Sequence, residues 1–250
     1  MKLKMSILVG LAVWLTACSV QTEKTVIPQI TPSPDAAVGS VESDNPENTE
    51  TVTKDLSVRA VASHQTGTLV IQPKSQATVT ALGAPSCYGL ETDLSWTGDY
   101  EAIWEPAAGG TPVNVLSFPE DLEIIEPTDE TINLQMLTIG DTDFFTYYPR
   151  YTDCHALEAY LFGVKDGQVF SVTFEDEAGQ FTNSFFQHPH YPLQLSDNNE
   201  LIITGGEGGG QAFIEVWHYE YDSGQHRMKL SKTEQVQPQD LLPSTNEGGD

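Results

Sequence analysis

An all-β fold of antiparallel sheets, forming a sandwich, barrel or small propeller-like arrangement with few or no helices, is the class this sequence predicts. Three observations carry the prediction. Apolar residues recur at every second position in short runs, as a strand with one buried face requires. Turn-forming clusters interrupt these runs at Lys165-Asp166-Gly167, Asp176 to Gly179 and Asp222-Ser223-Gly224. The period of about 3.6 residues that marks an amphipathic helix is nearly absent.

Along the chain, Ala77-Thr78-Val79-Thr80-Ala81 alternates small apolar residues with threonine, whose branched Cβ suits a pleated surface. Ile132-Asn133-Leu134-Gln135-Met136 alternates in the same way. The segment from Cys154 to Tyr160 admits a short helix. From Val169 to Glu175, Phe170, Val172 and Phe174 share one face of a strand. The clearest unit comes last: Glu200 to Thr204, a loop from Gly205 to Gly210, Gln211 through Tyr221, and after a turn Arg227 to Lys232. This reads as a three-stranded meander. In its middle strand Ala212, Ile214 and Val216 point one way and Phe213, Trp217, Tyr219 and Tyr221 the other. Both faces need cover, which predicts a central place in the sheet.

Composition sets the domain limits. Residues 18–54 are rich in Thr, Ser, Pro, Glu and Asp with scattered single aliphatics, so they read as a disordered acidic tether. Residues 236–250, with Pro238, Pro243 and Gly248-Gly249, read as a disordered tail. Between them, 55–235 supplies about 180 residues, enough for one β-rich domain with its own core.

The first residues read as a signal segment. Lys2 and Lys4 precede an apolar run from Met5 to Leu15, followed by Leu15-Thr16-Ala17-Cys18. That run is roughly half the ~20 residues a membrane-spanning helix needs. The four junction residues resemble the lipobox of bacterial lipoproteins. The resemblance implies that 1–17 is removed and that Cys18 receives acyl chains such as palmitate. It further implies that the domain lies outside the cytoplasm, held to a cell membrane or outer membrane. Lipidation of Cys18 leaves Cys87 and Cys154 as an even pair in a non-reducing compartment, which predicts a disulfide between them; two separately buried thiols are the alternative.

Removing the two lysines of 1–17 from the eleven Lys+Arg leaves nine against thirty-six Asp+Glu, a balance of about −27. Such a surface repels phosphate backbones and anionic headgroups, which excludes nucleic acid as a partner and disfavours electrostatic membrane binding.

Ser196-Asp197-Asn198-Asn199-Glu200-Leu201-Ile202-Ile203-Thr204-Gly205-Gly206, followed by a strand ending in aromatics, is similar to a blade of FG-GAP or VCBS-type repeats over about residues 195–232. The resemblance implies a propeller-like blade. Asn198 and Asn199 stand where the calcium loops of such repeats carry acids.

Catalytic signatures are missing: there is no Gly-x-Ser-x-Gly elbow, His-Glu-x-x-His or Walker loop. His188-Pro189-His190 can place two imidazoles on one side of an extended segment, and with a carboxylate, for which Asp197 is the candidate, they would form a zinc or copper site. An exposed polar loop is the competing reading. His155 and His218 read as structural. Glu175-Asp176-Glu177 and Asp141-Thr142-Asp143 could supply an acid and a base, but close pairs arise by chance among thirty-six acids. The aromatics Phe144, Phe145, Tyr147, Tyr148, Tyr151, Trp217, Tyr219 and Tyr221, with Trp96 and Trp104, suit a core first and a sugar-stacking face second. The sequence therefore predicts a lipid-anchored, non-enzymatic binding or structural domain whose partner is an envelope protein or glycan. No cofactor is expected beyond the covalent lipid. The alternatives are a metal- or calcium-dependent module and an extracytoplasmic hydrolase using carboxylates.

Overall fold

A computed structural model describes residues 53–241; the signal segment, Cys18, almost all of the tether and the end of the tail lie outside the described residues. The first half contains β1 (Thr53–Asp55), β2 (Ala60–His64), β3 (Gly67–Pro73), β4 (Ala77–Ala81), β5 (Leu94–Thr97), β6 (Tyr100–Pro106), β7 (Val113–Ser117), β8 (Glu123–Glu126) and β9 (Ile132–Asn133). Next come β10 (Met136–Ile139), β11 (Thr142–Tyr147), β12 (Leu157–Lys165), β13 (Gln168–Ser171), β14 (Thr173–Glu175), β15 (Phe181–Thr182) and β16 (Ser184–Gln187). The chain closes with β17 (Gln194–Leu195), β18 (Leu201–Thr204), β19 (Ile214–Asp222), β20 (Arg227–Val236) and one turn of helix, α1 (Pro238–Leu241).

The strands form four sheets, and the all-β expectation holds. The first sheet runs β1-β4-β5-β8 and the second β7-β6-β3-β2-β9. The third runs β10-β11-β12-β13, with β16 also pairing β12, and the fourth β15-β14-β20-β19-β18-β17. Pairing is antiparallel except for β2 with β9 and β14 with β20.

The third sheet is a wall shared by two cores. Phe145, Tyr147, Tyr160, Phe162 and Val164 pack on the first two sheets, in a core with Trp96, Trp104 and Ile124. Phe144, Ala159 and Leu161 face the other way, onto Val172, Phe174, Leu201, Ile203 and Tyr219 of the fourth-sheet side. Alternate residues of β11 and β12 thus serve opposite cores, which is why both strands are apolar almost throughout.

Three glycines let aromatic rings lie directly on the sheets. A Cβ on Gly163 would fall 2.3 Å from Phe170, its partner on the adjacent strand; one on Gly67 would fall 2.5 Å from Trp104 and one on Gly205 2.7 Å from Trp217. Ring and bare backbone pack where any larger residue would hold them apart.

The meander forms as expected, with β19 between β18 and β20. Its strand begins at Ile214, so Ala212 and Phe213 belong to the preceding loop. A register shift between His218 and Tyr219 bends it against β20. Two readings are corrected. The segment expected to admit a helix instead enters β12 at Leu157, in the middle of the third sheet, where pairing with β11 and β16 overrides the local helix-forming character of Ala156 to Ala159. The alternating run from Ile132 to Met136 is two strands in two sheets, β9 beside β2 and β10 beside β11.

Candidate functional site

The chain step from β9 to β10 passes from the edge of the second sheet to the edge of the third, and a cleft of about 520 Å³ opens there. Its apolar lining includes Leu134, Met136, Leu137 and Leu157. Its polar lining is largely uncharged: Asn133, Gln135, Tyr148, Tyr151 and Gln187, with His190 on the rim and Glu126 as the one carboxylate. A concave, mainly apolar lining with a few convergent hydrogen-bonding groups is the usual make-up of a small-ligand site.

Three of the polar wall residues, Tyr148, Gln187 and Tyr151, are held by side-chain hydrogen bonds. Tyr148 Oη donates to Gln187 Oε1 at 2.9 Å, and burial pushes the phenol up to about 12, so it remains a neutral donor. Gln187 keeps its amide nitrogen for another acceptor. Tyr151 Oη donates to Asp93 Oδ2 at 2.5 Å, and that buried carboxylate also accepts the Leu90 N–H at 2.7 Å.

The tyrosine wall is stapled to the loop between β4 and β5. Cys87 and Cys154 lie at disulfide-bonding distance, with Cα atoms 4.9 Å apart. Beside them, Arg150 places its guanidinium 4.1 Å over the ring of Tyr88 and 3.5 Å from Asp153. These contacts fix the loop that carries Tyr151.

Glu126 sits at the end of β8. Burial pushes its carboxyl up to about 7, opposed by the Arg59 guanidinium and aided by the charge of Asp93. Arg59 is itself buried: its guanidinium lies 4.3 Å over Trp96 and donates to Asp129 O at 3.0 Å, while Trp96 Nε1 donates to Asp55 Oδ2 at 2.8 Å. Tyr100 and Tyr147 present buried hydroxyls with no protein partner among the described residues. This polar group under the first core carried no recognisable motif.

The histidine pair is placed differently from a metal site. His188 is buried, and its Nδ1 accepts the backbone N–H of His190 at 3.1 Å, so in the neutral ring the proton is on Nε2, 3.8 Å from Glu207 Oε2. Burial, with help from His190, holds the His188 pKa below its ordinary value. Asp197 lies exposed in the Ser196–Glu200 turn. Among the described residues no three His, Cys, Asp or Glu side chains converge to hold a metal ion, so His188, His190 and Asp197 are not assembled as one group. His190 instead joins the cleft.

Three of the other carboxylate candidates, Asp141, Asp143 and Asp176, are engaged elsewhere. Asp176 Oδ1 accepts the N–H groups of Ala178 and Gln180 in a turn, and Asp141 pairs with Lys165 at 2.8 Å. Asp143 faces His64 Nε2 at 3.3 Å, whose Nδ1 lies 2.6 Å from Thr66 Oγ1. This has the connectivity of a hydroxyl–imidazole–carboxylate relay. The Thr66 N–H also donates to Nδ1 at 3.1 Å, which identifies a tight hairpin turn whose histidine ties β2–β3 to β11.

Of the ten aromatics singled out in the sequence, Trp96, Trp104, Phe144, Phe145, Tyr147 and Tyr219 are buried in the cores. Tyr148 and Tyr151 reach the cleft. Sequence reasoning missed Glu126 and Gln187, which lie far apart in the chain and line one cleft although β8 belongs to the first sheet and β16 to the third. No protein-family model matches this chain, no curated protein is detectably similar to it in sequence, and no solved structure is detectably similar to it in fold.

Proposed function

We propose that the protein is a lipoprotein held to the cell envelope through acyl chains on Cys18, and that its β-domain is a non-enzymatic module binding an envelope glycan in the cleft between β9, β10 and the 187–193 loop. The observation that carries this reading is the cleft's lining: two tyrosines with amides from Asn133, Gln135 and Gln187, over an apolar base. Tyrosine faces stack on the apolar faces of sugar rings, and planar amides meet hydroxyl pairs through one donor and one acceptor. A carboxylate-pair hydrolase would need a second acid in the cleft beside Glu126, and the lining supplies none.

Two measurements test the two halves. Metabolic labelling with an alkyne palmitate analogue in a bacterial host should mark the wild-type chain and leave Cys18→Ala unmarked; equal labelling of both refutes the anchor. Saturation-transfer NMR with neutral hexose and N-acetylhexosamine tetramers should show contacts that Tyr148→Ala and Gln187→Ala abolish. Absence of transfer from every tetramer, or transfer unchanged in both variants, refutes the glycan cleft.

A further inference from the structure

A second concavity, sharing no residue with the cleft, crosses the fourth sheet. This trough of about 480 Å³ has the buried Phe174 and Tyr219 in its lining, with Trp217 and the exposed Phe186. Its charged lining residues are Glu175, Asp176, Glu177 and Glu215, and no lysine or arginine lines it. Glu215 and Trp217 also border a neighbouring hollow of about 340 Å³ that includes the exposed Phe213, so the aromatic surface continues beyond the trough.

The carboxylates are largely free of internal work. Asp176 caps its own turn, but the side chains of Glu175, Glu177 and Glu215 make no hydrogen bond or ion pair among the described residues. Burial pushes the Tyr219 phenol up to about 12, and the charges of Asp176, Glu177 and Glu175 add to that, so all three act on the same point of the trough. Close by, Phe181, which pairs with Glu175 across β14 and β15, already carries the Arg227 guanidinium at 4.6 Å over its ring. The molecule thus holds one cation on an aromatic face at the border of this surface.

We propose that the trough docks an arginine- or lysine-bearing segment of a partner polypeptide, its cations over Trp217 and Phe186 and against Glu175, Glu177 and Glu215. Charge complementarity selects a cationic occupant: unpaired carboxylates and aromatic faces both favour guanidinium and ammonium groups. Spacing selects a polypeptide over a single small cation. Glu175 to Glu177 spread charge over at most about 7 Å at ~3.5 Å per residue, and Glu215 approaches from a different strand. Several cations at peptide spacing match that spread. An anionic partner or a nucleic acid would be repelled.

The test is fluorescence anisotropy with the full-length chain in nonionic detergent and a dye-labelled octapeptide of alternating arginine and serine. The comparators are the same peptide with citrulline for arginine, and unlabelled spermine as competitor. Wild type should bind the arginine peptide at least about tenfold more tightly than the citrulline peptide, and more weakly as salt rises. Glu175→Gln/Glu177→Gln/Glu215→Gln should lose about tenfold, and Phe186→Ser several-fold, as exposed charge contacts and a cation–aromatic face together imply. Glu91→Gln/Glu120→Gln/Glu130→Gln removes equal charge from exposed sites elsewhere and should stay within about twofold, because screening confines such charges to a range of about 8 Å. Equal melting temperatures keep the comparison one of binding alone. The proposal is overturned if wild type does not bind, if both triple variants weaken equally, if Phe186→Ser binds like wild type, or if spermine competes as well as unlabelled peptide at equal charge.

Discussion

Replacing Gly163 by alanine tests the packing of the shared third sheet, because the new methyl group must displace an aromatic ring. The added Cβ would lie 2.3 Å from Phe170 Cε2 and 2.5 Å from Cζ. Carbon atoms in contact settle at about 3.5–4.0 Å, so the ring must retreat by roughly 1 Å or more. It cannot slide freely, because its other face stacks on His226 with centroids 3.8 Å apart. Overpacking of this kind costs about 1–3 kcal/mol, and the entropy recovered by removing a strand glycine returns about 0.5–1 kcal/mol. The net loss, centred on about 1 kcal/mol and at most about 2.5 kcal/mol, corresponds to a melting temperature lower by about 2–4 °C and by at most about 10 °C in a domain of this size. Differential scanning calorimetry measures it directly. The stronger form is a double-mutant cycle: in a Phe170→Ala background the clash is gone, and Gly163→Ala should become neutral or stabilising. Gly163→Ala melting at or above wild type, or an undiminished cost without the ring, would show that the glycine does not serve the aromatic.

Cys154→Ser, which opens a loop with a sequence separation of 67, should destabilise the domain by about 4 kcal/mol on the chain-entropy account, and reductant should lower the wild-type melting point to match it. An unchanged melting point under reductant would mean that the cysteines are not joined. Tyr151→Phe removes a donor from the buried Asp93 carboxylate and should cost about 1–3 kcal/mol, readable in urea unfolding; a neutral result would place that hydroxyl in solvent. Glu126 gives a pH signature. Its folded pKa of about 7 exceeds the ordinary 4.5, so the native state binds the proton more tightly, and the contribution present below pH 4.5 is lost as pH rises through 7. His188, with its pKa lowered from 6.5, acts oppositely, losing stability as pH falls, so the comparison must be against Glu126→Gln. That variant should match wild type near pH 4 and melt higher at pH 8; a pH-independent difference refutes a buried Glu126.

What alternation discloses is which face of a segment is covered, and there the sequence was legible. Phe170, Val172 and Phe174 do share one face and meet the same core. Alternation is silent about which strand lies alongside, since side-chain period and hydrogen-bond partner are independent properties of a strand. Hence the run from Val169 to Glu175 looks like one strand yet changes sheets at Val172: Val172 N–H still donates to Leu161 O at 2.9 Å, and one residue later Thr173 has moved into parallel register with Arg227. The same silence hid the break between β9 and β10. For Cys154 to Tyr160, the misleading signal was local. Ala156, Leu157 and Ala159 favour a helix in isolation, but Ala159 and Leu161 reach one core while Tyr160 and Phe162 reach the other, which only an extended strand in a doubly covered sheet permits.

The break between β9 and β10 also bears on where a ligand can bind. A sheet with both faces buried offers a ligand only its edges, and the third sheet is such a sheet. On one side its edge is β10; on the other, β13 and β16 share β12 between them. The chain arrives at β10 directly from the edge of the second sheet, so two open edges face one space, and the 187–193 loop returning from β16 walls it. Single-sequence reading finds the tyrosines of such a place because they are conspicuous, and misses Glu126 and Gln187 because their strands lie in different sheets and only the topology brings both to one cleft. The disulfide belongs to the same logic. It joins the loop before β5 to the loop before β12, the two segments that meet through Tyr151 and Asp93, and so reinforces a tyrosine wall that the backbone ties to β8 through a single bridge, with Ile125 N–H donating to Pro149 O at 2.9 Å and Tyr151 N–H to Ile125 O at 3.4 Å. Loss of the cross-link should therefore weaken ligand binding in the cleft more than binding in the trough on the fourth sheet, which no segment of that loop lines. Parallel titrations of Cys154→Ser with the oligosaccharide and arginine-peptide probes, below its melting temperature, decide the point: equal losses at both places would mean that the cross-link stabilises the domain without shaping the cleft.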